Sequence, residues 1–279
     1  MSVSLFRLAL IFVVPTVLAG CSLQKQFRPM TSSLIRSGER VRDGSAAMET
    51  GDWEKAEKKF EEAVKLNKMD AELRRHYAES LWARGKYRES LEQLDEAAKL
   101  SIKPDGSLEI SFAEKYLSVG DLHAAYRHAD QAVRLSPQAF KAWALRGKAT
   151  WSLAEQQMSA VPIGETVKLL DLARNDYYRA LSLSPNNRDI LPELATLQMR
   201  RNEPEYALAT WQNLQDLYQP GNVPTGVLHG KADAYIAMNR LSDAADCLAD
   251  IQQRTPNDPN ILRKLQSLEA TKRPDTMRW

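Results

Sequence analysis

Small residues return along this chain in a fixed frame, and the apolar residues around them keep a helical step. One series reads Ala56, Ser90, Ala125, Ala173, Ala207 and Ala244, at spacings of 34, 35, 48, 34 and 37. A second, Ala63, Ala97, Ala132, Ala180, Leu214 and Ile251, has the same five spacings. A third, Gly44, Ala78, Ala113, Gly147, Ala195 and Ala232, is spaced 34, 35, 34, 48 and 37. Apolar positions at steps of three and four predict amphipathic helices, and the 34-residue interval holds two of them. Gly51-Asp52-Trp53, Gly85-Lys86-Tyr87 and Gly120-Asp121-Leu122 each join two such stretches. Glycine past a helix end takes the left-handed cap, and Asp52 or Asp121 can then cap the next helix. Pro137, Pro185 and Pro256 stop the second helix of their repeats.

These signals predict an all-α chain of six helix-turn-helix repeats, at 37–70, 71–104, 106–139, 140–187, 188–221 and 225–258. Ile261, Leu262, Leu265 and Leu268 stand at helical spacing in Asn260 to Lys272. They predict a capping helix within 259–279, ended by Pro274. The fourth repeat carries 14 extra residues, placed between Gly147 and Ala173 because the first two series take their long interval after the third repeat and the third takes it after the fourth. Ser152 to Val167 holds Leu153, Met158, Val161 and Ile163 around one helix-breaking site, Pro162 with Gly164. This predicts two lengthened helices joined near 159–164, either a functional protrusion or a neutral insertion.

The period and the turn residues resemble the tetratricopeptide repeat over 37–258. Trp143, Gly147, Ala180 and Pro185 occupy positions of that pattern. The fifth repeat departs from it: Asn202-Glu203-Pro204 replaces the Gly-Asp turn, and Trp211 stands where Phe or Tyr is usual. Gly38 and Gly44 weaken the opening helix of the first repeat. The resemblance implies a solenoid in which the small positions lie at close helix crossings and Trp53, Tyr87, Tyr116 and Tyr177 fill the space left over. A single repeat cannot bury its apolar face alone, so stability is distributed along the stack.

Composition adds exclusions. Hydrophobic residues are 43% and charged residues 27% of the 279, which excludes a multi-span membrane protein and a disordered chain. The formal charge is +2, so no general electrostatic attraction to nucleic acid is expected. Met1 to Gly20 has the parts of a secretory signal: Arg7, the apolar run Leu8 to Val14, then small residues. Leu8 to Gly20 contains Pro15 and falls short of the ~20 apolar residues of a spanning helix.

Leu18-Ala19-Gly20-Cys21-Ser22 resembles the bacterial lipoprotein box. The resemblance implies that the Cys21 thiol takes a diacylglycerol, that the signal is cut before it, and that the new amine is acylated by a fatty acid such as palmitate. Residues 21–36 then form the lipidated N-terminus and tether. Ser22 rather than Asp implies the outer membrane, facing the periplasm, with the inner membrane still open. The competing reading is an ordinary signal peptide with a chance cysteine. With Cys21 as anchor, Cys247 has no partner for a disulfide within the chain.

The family lines its concave face with the first helix of each repeat. One position per repeat, directly after the Tyr116-type site, reads Met48, Trp82, Leu117, Trp151, Met199 and Ile236, all large and apolar. They either pack between neighbouring helices or, at Trp82 and Trp151, stand partly exposed as anchors for an apolar ligand segment; tryptophan is enriched at binding hot spots. Polar neighbours in the groove are Arg75, Glu79, Glu114, Lys148 and Arg200, of both signs. A lysine and asparagine clamp for a peptide carboxylate is not expected, because the matching positions hold Arg75 with Glu79 and Ala144 with Lys148.

No phosphate-cradling glycine loop, HExxH or paired CxxC is present. His123 and His128 lie about 140° apart around one helix and do not converge on a metal. Neither cofactor nor metal is predicted. The reading is a non-catalytic, membrane-anchored scaffold that holds a protein or peptide in its groove. Lipid anchor plus six repeats resembles the pilotins of type IV pilus assembly and, more loosely, lipoprotein adaptors of cell-wall hydrolases. Two alternatives stand beside it: a cell-envelope enzyme using the repeats as a substrate arm, and a self-assembling structural envelope protein.

Overall fold

The computed structural model describes residues 19–157 and 163–272. Most of the predicted signal segment, the apex of the insertion and the stop at Pro274 lie outside the described residues. Thirteen helices and no strand occur among the described residues. Two compact units divide the chain, Met1–Ile102 and Lys103–Trp279.

The first unit holds α1 (Ala19–Glu49), α2 (Trp53–Leu66), α3 (Ala71–Ala83) and α4 (Tyr87–Leu100). Cys21 and the segment read as a tether fall on the leading part of α1. Each helix packs on the next. Asp52 accepts from the Lys55 N–H at 3.1 Å and Asp70 from the Leu73 N–H at 3.0 Å, so α2 and α3 begin where a carboxylate can satisfy a free backbone donor. The core is Ala47, Ala56, Phe60, Ala63 and Leu73. Gly44, which weakens the helix as an isolated segment, has a packing reason: a Cβ there would lie 2.9 Å from the Phe60 ring. Ser90 replaces alanine in the first small-residue series, and its buried hydroxyl donates to the Ala78 carbonyl of α3 at 2.6 Å.

The second unit holds α5 (Gly106–Val119), α6 (Leu122–Leu135), α7 (Phe140–Gln157), α8 (Ile163–Leu183), α9 (Ile190–Arg200), α10 (Pro204–Asp216), α11 (Thr225–Ala237), α12 (Leu241–Arg254) and α13 (Pro259–Lys272). Successive helices pack in pairs, and α5 also touches α7, α7 touches α9, and α9 touches α11. The first helices of neighbouring pairs therefore stand side by side. The insertion lengthens α7 and α8 to 18 and 21 residues. Every position of the three small-residue series is buried in its unit, as close helix crossings require.

The departures of the fifth repeat are absorbed by compensating residues. Asn202 takes the left-handed conformation (φ 59°) that Gly51 (φ 74°) and Gly120 (φ 80°) take elsewhere, and Pro204 starts α10 where no backbone donor is needed. The larger Trp211 ring has room because Gly230 faces it; a Cβ on that residue would fall inside the indole. Lys115, Asp176 and Lys231 are charged residues buried in this unit. Asp176, 2% exposed, receives both arms of Arg146 at 2.9 and 2.7 Å, and Arg146 also donates to Asp130 at 2.9 Å. Burial pushes the Asp176 carboxyl above its usual range, and the Arg146 guanidinium only partly offsets this.

Candidate functional site

Each unit presents part of the apolar stripe. In the first, Met48 is half-buried against the Phe60 core, and Trp82 is half-buried with its ring 4.5 Å from that of Tyr87. In the second, Leu117 and Met199 are half-buried and Ile236 is 36% exposed. Trp151 is 9% exposed and packs with Ala154, Leu170, Tyr177, Ile190 and Leu194. Its indole N–H is buried without a hydrogen-bond partner. The stripe is thus graded, from a packed tryptophan on α7 to an open isoleucine on α11.

The groove charges are engaged within their units. Arg75 pairs with Glu72 on α3. Arg200 reaches Glu155 at 3.4 Å, and Lys141 reaches Glu114 at 3.9 Å. Lys148 on α7 donates to Glu193 on α9 at 2.6 Å, bridging two neighbouring first helices. Such partly exposed pairs add little stability, so these groups remain open to rearrangement by a ligand.

Beside Lys148 the surface opens into a pocket of about 160 Å³ lined by Ala144, Leu145, Lys148, Tyr177, Asp189, Ile190 and Glu193. Its α9 wall is positioned by Asn187, whose side-chain oxygen accepts from the Asp189 and Ile190 N–H groups at 3.0 and 3.1 Å. Asn187 caps the helix, and the exposed Asp189 carboxylate makes no cap bond. Tyr177, 1% exposed, has a buried hydroxyl with no partner. Burial, with smaller contributions from Glu193 and Asp176, pushes its phenol well above the usual value and keeps it a hydroxyl. Sequence reasoning named Lys148 but not Asp189 or Glu193, and took Tyr177 only as a space-filler. Lys148 and Glu193 lie 45 residues apart, and nothing local in the sequence joins them.

Other candidate chemistry is accounted for by packing. His128 stacks on Phe112 and Tyr116 and sits 2.7 Å from Glu109. Cys247 is half-buried and free, and burial pushes its thiol up. Among the described residues no group of three or more His, Cys, Asp or Glu side chains is arranged to hold a metal. No described helix is long and apolar enough to cross a membrane.

Comparison with known proteins matches part of the chain to a repeat family. A family model described as tetratricopeptide repeat matches residues 42–106. Comparison with curated proteins finds no match. Among solved structures, the chain is similar to PilW, described as a widely conserved type IV pilus biogenesis factor, with 16% identity and a TM-score of 0.67. That match covers 84% of this chain and 98% of the other. It is also similar to pilF of Pseudomonas aeruginosa, with 14% identity, a TM-score of 0.66, and coverage of 86% of this chain and 100% of that one. A thermophilic repeat protein of Thermus thermophilus matches at 18% identity and a TM-score of 0.53, covering 72% of this chain and 99% of that one. At these identities the similarity concerns the fold.

Proposed function

For this chain, a member of the tetratricopeptide-repeat superfamily, we propose the function of a non-catalytic scaffold that holds a protein or peptide against the first helices of its repeats. The observation that carries this reading is the juxtaposition of α5, α7, α9 and α11 in the second unit. Apolar side chains at one repeating register are only partly covered there, at Leu117, Met199 and Ile236. Partly buried apolar residues on fixed helices bind with little loss of conformational freedom.

The scaffold acts at a membrane, held by acyl chains on Cys21, on the periplasmic side of the outer membrane. The support is the segment Leu18 to Ser22 behind an apolar run with one preceding positive charge. One acyl chain anchors only marginally, and two or more anchor stably. Its place is in cell-envelope assembly, in pilus or cell-wall machinery. The pilus direction rests on the similarity to the type IV pilus biogenesis factor PilW, which extends over most of this chain.

The anchor and the scaffold are tested together. Cys21→Ser is expected to abolish incorporation of labelled palmitate and to leave an uncleaved precursor or a soluble form. A mutant processed and detergent-dependent like its parent overturns the anchor. For the scaffold, Leu117→Arg with Ile236→Arg is expected to abolish partner capture from membrane extracts. Tyr206→Arg, on a second helix and 64% exposed, is expected to leave it intact. Equal capture by both overturns the groove.

A further inference from the structure

We propose that the pocket between α7, α8 and α9 receives a lysine or arginine side chain of the partner peptide. The aliphatic stem lies on the apolar wall, and the cationic head meets Asp189 and Glu193. This deepens the scaffold reading and rests on it, since it names the chemistry that the groove selects.

Three independent features meet here. The wall is apolar, made by Ala144, Leu145 and Ile190, and a long basic side chain is the charged type that covers such a surface with its own methylenes. The rim is unbalanced: Asp189 and Glu193 carry two carboxylates, and Lys148 supplies one cation. Glu193 is engaged by Lys148, whereas Asp189 has neither an ion pair nor a side-chain hydrogen bond among the described residues. Arg188, its chain neighbour, is directed elsewhere, donating to the Leu217 carbonyl and stacking over Tyr218 at 4.5 Å. The third feature is Tyr177, whose buried hydroxyl has no partner. A phenol oxygen accepts as well as donates, so an N–H group that a local shift admits to it would satisfy a polar atom that is otherwise costly to bury.

Lys148 on Glu193 shows that the site already accommodates one ammonium at hydrogen-bonding distance. A second cation brings the rim to neutrality. A neutral side chain of the same length fills the wall but leaves Asp189 uncompensated. An acidic one meets two carboxylates.

The test uses the full chain with labelled methyl groups on Ile190 and Leu145, titrated by NMR with three acetylated and amidated pentapeptides. Their centres are lysine, norleucine and glutamate, each flanked by two glycines. The lysine peptide is expected to shift the Ile190 methyl saturably and to bind about threefold tighter than the norleucine peptide, a difference of about 0.65 kcal/mol, the scale of an exposed ion pair. Asp189→Asn is expected to erase that preference without moving Tm, because the Asp189 side chain caps nothing. Lys148→Met, which removes the competing cation, is expected to keep or strengthen it. Norleucine binding as tightly as lysine, glutamate binding tightest, no Ile190 shift with any peptide, or an unchanged lysine preference in Asp189→Asn each overturn the proposal. If the peptides fail while Leu117→Arg with Ile236→Arg still abolishes partner capture, this inference alone falls. If capture is insensitive to those groove changes, the scaffold reading falls whatever the peptides do.

Discussion

Replacing Arg146 by methionine isolates the energetics of the buried Asp176 charge in the second unit. The substitution keeps much of the aliphatic volume and removes both hydrogen bonds to Asp176, leaving a carboxylate at 2% exposure with no counter-charge of its own. Removing one partner of a buried pair costs about 3–5 kcal/mol, because the remaining ion keeps its desolvation penalty and loses its compensation. For a unit of this size, that lowers Tm by on the order of 10 °C. The sign of the pH dependence follows from the carboxyl. Its folded pKa already stands above the unfolded value, and losing Arg146 raises it further. The cost is therefore full at neutral pH and shrinks as pH falls through the raised folded value, where Asp176 takes a proton before entering the core. Asp176→Asn in the Arg146→Met background is expected to recover part of the loss at neutral pH and nothing in acid. Thermal melts followed by circular dichroism at several pH values measure all three variants. A loss below about 1 kcal/mol that does not diminish in acid refutes the reasoning.

The small-residue frame predicts that Ala132→Leu, at a fully buried crossing, costs about 1–3 kcal/mol in thermal melts, while Ala83→Leu on exposed backbone costs under about 0.5 kcal/mol. Equal melting shifts contradict the frame. Tyr77 is expected to ionise at about 12, raised by burial first and then by Glu61, Glu57 and Glu89. The unfolded chain gives up that proton near 10, so stability falls as pH rises from 10 toward 12. The difference in ultraviolet tyrosinate titration between the native chain and Tyr77→Phe checks this, and a difference centred near 10 contradicts it.

The helix pairs were legible because stacking imposes one period on every residue type that must fit a crossing, and three series keeping step through irregular intervals reveal it. Local departures were harder to read. Asn202 at a glycine position preserves the left-handed turn, and Gly230 makes room for Trp211 from a helix 19 residues away. Gly44 looked like a weakness because helix propensity is local, whereas the Phe60 ring that requires it belongs to the next helix. The pocket was the least legible part. Its walls come from three helices of two repeats, and the features that matter are the uncompensated Asp189 and the unpartnered Tyr177 hydroxyl. Both are absences of a partner, which no single-sequence pattern encodes.

The central claim, that the partner lies on the first helices of the repeats, is tested most directly by site-resolved photocrosslinking in cells. A photoreactive phenylalanine is placed in turn at Leu117, Met199 and Ile236, and in turn at Tyr178 and Tyr206 on second helices. The account predicts one and the same crosslinked partner from the first group and none of it from the second. That partner crosslinking from Tyr178 and Tyr206 but not from Leu117, Met199 and Ile236 contradicts it.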